Sequence, residues 1–265
     1  MYAVIIIVLM FLGSVIVWAE DDEPTDRLYE PIKIGITERA GQTLGQFSKK
    51  IDIEWEIQLA ERRLREVQGL ILEDKLAPVL LADLRERFAA HAGRVETLLR
   101  EEEETGDPLR AAEFALFSEA RMSAFEEVFV VLAPQLDDQP QKQILALIED
   151  IQTKREKLTA IRDRVEGNIA VYKNIERAAK NRARGSRTET DISERRFDQR
   201  RMRLSESEQA YLQTELDAAL AVISEGRTFL ENEEWADAFL AFQEADRYAQ
   251  RIEILADAAR VIEFR

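Results

Sequence analysis

Apolar residues recur every three or four positions along most of the chain. Ile53, Ile57, Ala60, Leu64, Val67 and Ile71 form one row, and Leu81, Leu84, Phe88, His91, Val95 and Leu98 a second. Leu109, Ala112, Leu116, Ala120, Ala124, Val128 and Val131 form a third. This is the period of helices that bury one face. No alternation of period two and no Asn-Gly or Asp-Gly hairpin signal accompanies it. The pattern predicts an all-α fold: a helical bundle over residues 24–135, a long coiled-coil-like helix over 140–184, and a helical hairpin over 205–265.

The six prolines punctuate this pattern, and all lie before position 141. Asp107-Pro108 reads as an N-cap and first helical residue, Pro78 opens another helix, and Pro134 with Pro140 brackets a turn around Asp137-Asp138. Beyond them, Ile144, Ile151, Leu158, Val165, Tyr172 and Ala179 sit seven apart, beside an incomplete second row of Leu147, Ile161 and Ile175. A seam of about five heptads suits a partner chain, a second copy included, or packing within the same chain as a long bundle helix. The second reading is favoured; Leu158, Val165 and Tyr172 are the positions a partner would use. Gly185-Ser186 reads as the end of this helix and residues 185–204 as a basic linker. In the hairpin, Leu212, Leu216, Ala219, Ile223 and Leu230 mark one helix and Trp235, Ala238, Phe242, Ala245, Ala249, Ile252 and Ala256 the other, with a turn at Glu231-Asn232-Glu233-Glu234.

Residues 1–19 contain no charged side chain and include Ile5-Ile6-Ile7-Val8-Leu9-Met10-Phe11-Leu12. As a helix they would span about 28 Å, close to a bilayer's hydrocarbon core. A core helix of a soluble protein would keep a polar face, so export is expected, either as a cleaved signal ending at Val17-Trp18-Ala19 or as an uncleaved anchor. The expected localisation is extracytoplasmic, membrane-anchored or secreted.

Composition narrows the chemistry. The 265 residues hold 37 Lys and Arg against 52 Asp and Glu, a formal charge of −15, with one His and no Cys. Disulfides, thiolate metal sites and sites needing two imidazoles are excluded. Nucleic acid is not expected as a partner, since phosphate binding needs a basic surface. One segment runs against the acidic balance: residues 173–203 carry eleven cations and five acids. It is read as a solvated helix end pairing with acidic faces of the same protein, or as a site for anionic lipid or a wall polymer through Arg195, Arg196, Arg200 and Arg201.

Other clusters suggest no chemistry. His91 lies on an apolar stripe, where packing is the usual role. Glu101-Glu102-Glu103-Glu104 lacks the alternation of a Ca²⁺ loop and reads as a frayed, solvated helix end. Glu61 with Arg65 and Arg62 with Glu66 read as helix-surface ion pairs. There is no GxSxG, SxxK or phosphate-cradling glycine loop, so neither an enzyme nor a cofactor is expected.

Two resemblances add to this reading. Gly226, Phe229, Ala238, Phe242 and Ala245 have the spacing of the packing positions of one tetratricopeptide-like unit, where small residues let two helices cross closely. Pro24, Leu28-Tyr29, Lys33 and Glu38, followed by Leu59-Ala60-Glu61-Arg62-Arg63-Leu64-Arg65-Glu66, make residues 24–130 similar to the bacterial family catalogued as domain of unknown function 5667. That likeness implies an exported helical domain and brings no catalytic residues. The expected function is a non-enzymatic structural or interaction module of the bacterial cell envelope that meets a protein partner. The alternative is the extracytoplasmic part of a membrane signalling or regulatory complex.

Overall fold

The structure is a computed structural model and describes residues 49–258. Seven α-helices and no strand occur among the described residues: α1 (Lys49–Leu72), α2 (Pro78–Thr105), α3 (Pro108–Leu132), α4 (Asp138–Glu166), α5 (Ile175–Arg200), α6 (Glu206–Glu231) and α7 (Trp235–Ala258). Three short 3-10 turns, Ala133–Gln135, Ile169–Val171 and Arg201–Arg203, separate α3 from α4, α4 from α5 and α5 from α6. The chain is all-α over this span. The apolar segment 1–19 and the opening residues of the family likeness lie outside the described residues. Among the described residues no helix is long and apolar enough to cross a membrane.

Helices α1 to α4 form one layer, in which α3 lies along α4 and α2 packs against α1 and α4. Helices α5, α6 and α7 form a second layer, and α7 also packs along α3, which makes it the element shared by both. Phe88, Leu99, Phe125, Phe129, Ile144 and Leu147 are fully buried in the larger core. Val165, Ile169, Ala179, Ile223, Phe239 and Phe242 belong to the smaller one. Each such large side chain contributes about 1.5–3 kcal/mol on leaving water.

The capping residues act as the sequence suggests. Pro78 and Pro108 occupy the first turns of α2 and α3, and the Asp107 carboxylate accepts the Arg110 N–H. Ser205 and Glu208 form a reciprocal capping box at the start of α6, a Ser-x-x-Glu signal that the apolar period does not reveal. Helices α1 and α6 end alike: the Lys75 N–H donates to Leu70 O and the Glu234 N–H to Phe229 O, both at 2.9 Å. Asp74 and Glu233, the residues just inside these bonds, have φ of 54° and 63°. Such closures usually place glycine there, because a Cβ in the left-handed region costs about 1 kcal/mol. Glu233→Gly should therefore raise the thermal midpoint by about 2–4 °C. An unchanged or lowered midpoint in a calorimetric scan would refute this account.

Two boundaries differ from the expected ones. The helix expected over 140–184 is broken: α4 stops at Glu166, followed by Gly167 and Asn168. Glycine is a poor helix former, and the Asn168 amide donates to the Arg164 carbonyl at 3.0 Å, closing the end instead of continuing it. Conversely, Gly185-Ser186 does not end a helix, and residues 185–200 are not a linker but the second half of α5. Ser186 is buried and donates its hydroxyl to the Phe242 carbonyl at 2.9 Å, so packing on α7 outweighs the local cost of glycine. Helices α6 and α7 form the expected hairpin, and a Cβ on Gly226 would lie 3.0 Å from the Phe242 ring. Glycine at this crossing sets how closely the two backbones approach.

Candidate functional site

The heptad positions are used inside the chain. Ile144, Ile151, Leu158 and Val165 are all buried, and Tyr172 is half-buried against the smaller core. Leu158 and Val165 are therefore not free for a partner or a second copy, because α3 and the smaller core already cover them.

The four arginines nominated for polyanions divide. Arg196 pairs with Glu253 and Arg200 with Asp257, both acids of α7. Arg201 lies over the Phe197 ring, 5.9 Å from its centroid, and reaches Gln209 Oε1 at 3.5 Å. Arg195 is exposed and makes no ion pair among the described residues. Sequence reasoning could not foresee this split, since i,i+3 and i,i+4 spacing reports only partners on the same helix.

The acidic run at the end of α2 is ordered by its neighbours and is not a frayed end. Glu102 is buried, and its Oε1 accepts the Asp107 N–H and Arg110 Nη1, both at 3.1 Å. Arg164 donates to both oxygens of Glu103, at 2.8 and 2.6 Å. His91 Nδ1 lies 2.8 Å from Glu56 Oε2 and ties α2 to α1.

A polar concavity lies where α1, α3, α5 and α7 meet. Lys50, Asp107, Arg110, Asn174, Arg177 and Asn181 line a cleft of about 450 Å³. It adjoins a smaller one of about 250 Å³ lined by Glu54, Gln58, Phe117, Asp246 and Gln250, and Glu113, Phe114, Arg182 and Glu189 border both. Arg182 projects between the layers, with Nη1 2.6 Å from Glu113 Oε1 and Nη2 2.6 Å from Asp246 Oδ2. Asp246 is only 4% exposed, and neither of its oxygens accepts a well-directed hydrogen bond. Burial pushes its carboxyl up to about 6, against the lowering effect of Arg182.

Behind this cleft, α5 and α7 meet across a polar seam. Ser186 and Ser193 donate to the carbonyls of Phe242 and Ala249, both at 2.9 Å. Thr190 and Gln243, between them, are buried without side-chain hydrogen bonds. The Ser186, Thr190, Ser193 spacing follows one helix face. It could have marked α5 as continuous, because small hydroxyl residues permit close approach and then bond to the facing backbone.

Further arginine ties cross the body. Arg121 on α3 donates to Gln250 at 2.9 Å and to Glu61 on α1, and stacks over Phe117 at 4.4 Å. Burial alone would raise the Glu61 carboxyl, but Arg121 and Arg65 together hold it below its usual range. Arg251 on α7 reaches Ser123 and Glu127 on α3 and Tyr211 and Glu215 on α6, at 2.7–3.2 Å. Burial and the nearby Glu127 push the Tyr211 hydroxyl up to about 12. Among the described residues no group of three or more His, Asp or Glu is placed to hold a metal ion.

No family model matches the chain, and neither the curated proteins nor the solved structures contain a match.

Proposed function

We propose that the chain is a non-enzymatic helical scaffold of the bacterial cell envelope, exported or anchored through residues 1–19, that presents a fixed body to a protein partner. The observation that carries this reading is where the interior charge goes. Arg121, Arg182 and Arg251 each bridge three helices and join the two layers through α3 and α7. Such ties hold a shape. The likeness of residues 24–130 to an exported family supports the same placement, as does the uncharged stretch at 1–19.

The test is the intact mass and N-terminal sequence of the native protein from separated membrane and soluble fractions. The expected result is full-length chain in membranes, or a chain starting at Glu20 outside the cytoplasm. Full-length chain confined to the cytosol would overturn the proposal.

A further inference from the structure

Elsewhere on the surface, exposed arginines mostly sit beside an acid: Arg87 with Asp83, Arg94 with Asp52, Arg100 with Glu96. On α5 three do not. Arg177, Arg184 and Arg195 are exposed, and among the described residues their guanidinium groups form no hydrogen bond, ion pair or ring contact. They lie seven and eleven residues apart, two and three turns, so they fall on one stripe about 27 Å long.

The sequence around Arg177 and Arg184 explains their missing partners. The positions three and four away from Arg177 are Lys173, Asn174, Lys180 and Asn181, and those around Arg184 are Lys180, Asn181, Arg187 and Thr188. None is an acid. Near Arg195, Asp191 is taken by Arg187 at 2.9 Å, while Asp198, an exposed acid three residues on, forms no ion pair with it. On the opposite side of the same helix, Arg182 turns inward and is neutralised by Glu113 and Asp246. α5 thus turns Arg182 inward and leaves three guanidinium groups without an ion pair on its outer face, Arg177 at the rim of the cleft, in a chain whose net charge is −15. With a screening length of about 8–10 Å, an approaching surface responds to that row and not to acids on the far side of the body.

Apolar side chains accompany the stripe. Ile192, one turn before Arg195, is 39% exposed. The 3-10 turns flanking α5 carry Val171 at 77% exposure and Met202 at 94%. Single exposed apolar residues are ordinary, but arginines flanked by them suit an interface with headgroups outside and acyl chains beneath. A soluble polyanion offers nothing to the apolar groups.

We infer that the outer face of α5, through Arg177, Arg184 and Arg195, docks on a bilayer surface bearing anionic lipids. This rests on the body being held beside a membrane, yet its test uses vesicles and is independent of where the protein resides in the cell.

The experiment compares the full chain with the triple variant Arg177→Gln, Arg184→Gln, Arg195→Gln in co-sedimentation with phosphatidylglycerol–phosphatidylcholine vesicles and with pure phosphatidylcholine. Residues 1–19 are common to both proteins, so their contribution cancels. Each arginine near an anionic surface strengthens partitioning about fivefold, so the triple variant should lose about a hundredfold of the phosphatidylglycerol-dependent binding. Removing the same charge at Arg87, Arg94 and Arg100 should leave it nearly intact. Because the chain has no cysteine, Thr188→Cys carrying an environment-sensitive dye gives a second readout even if residues 1–19 sediment every molecule. Its emission should shift with phosphatidylglycerol vesicles, not with phosphatidylcholine, and the shift should fade with salt. Equal losses from both triple variants, an unshifted dye, or binding to soluble polyphosphate but not to vesicles would each overturn the inference.

Discussion

Arg251→Met should destabilise the body by about 3 kcal/mol, lowering its thermal midpoint by about 6–12 °C. The guanidinium donates to Glu215 at 3.2 Å, Ser123 at 2.7 Å, Glu127 at 3.0 Å and Tyr211 at 3.1 Å, and its own side chain is 14% exposed. Methionine keeps the packing of the alkyl stem but leaves two carboxylates facing each other without a cation. Glu127 and Glu215 side chains are 30% and 15% exposed, so water recovers part of the loss; this keeps the figure at the lower end for a broken interior pair. Urea denaturation is the measurement. Adding Glu215→Gln should restore part of the stability, because the damage comes from the stranded acid and not only from lost bonds. A loss below about 1 kcal/mol for the single variant would mean that these contacts behave as a solvated surface pair.

Asp246→Asn should have the opposite sign at neutral pH. The folded carboxyl titrates at about 6 against 3.8 for a free aspartate, because burial penalises its charge more than Arg182 rewards it. The folded state therefore holds this proton more tightly than the unfolded state does. Stability from this group is greatest below about pH 4 and is lost as pH rises through about 6. The gap corresponds to a penalty on the order of 2–3 kcal/mol at pH ~7. The Asn variant should thus gain stability over the native chain between about pH 4 and 7, with Arg182 still paired to Glu113 at 2.6 Å. A difference between the two proteins that does not change across that range would show that Asp246 is well satisfied in its ionised form.

The all-α class was legible because burial of one helix face leaves a three-to-four period, and Ile53 to Ile71 or Leu109 to Val131 could satisfy no other element. Capping chemistry at Pro78 and Asp107-Pro108 was equally readable, since those signals act within four residues. What could not be read depends on residues far apart in sequence. Gly167 and Gly185 are the same residue in helical surroundings, yet one follows the end of a helix and the other does not. The difference is Ser186, whose hydroxyl finds the Phe242 carbonyl across 56 positions. Arg182 and Arg184 likewise look alike in a charge count, but a 200° turn of the helix sends the first inward and the second outward. The cleft was invisible for the same reason. Asp246 sits in a run, Gln243-Glu244-Ala245-Asp246-Arg247, whose polarity suggests a surface. Its burial follows from α5 closing over it.

The position of α7 has a consequence for how the chain is made. It is the last of the seven helices to leave the ribosome, yet it lies against α3, α5 and α6 alike. Until it emerges, α3 carries an uncovered face, Arg121 lacks its Gln250 and Glu253 partners, and the serines of α5 have no carbonyls to bond. Assembly of the two layers must therefore wait for translation to pass residue 258. A nascent chain stopped short of that point would expose both unfinished cores at once, and quality-control proteases could tell it from the finished protein.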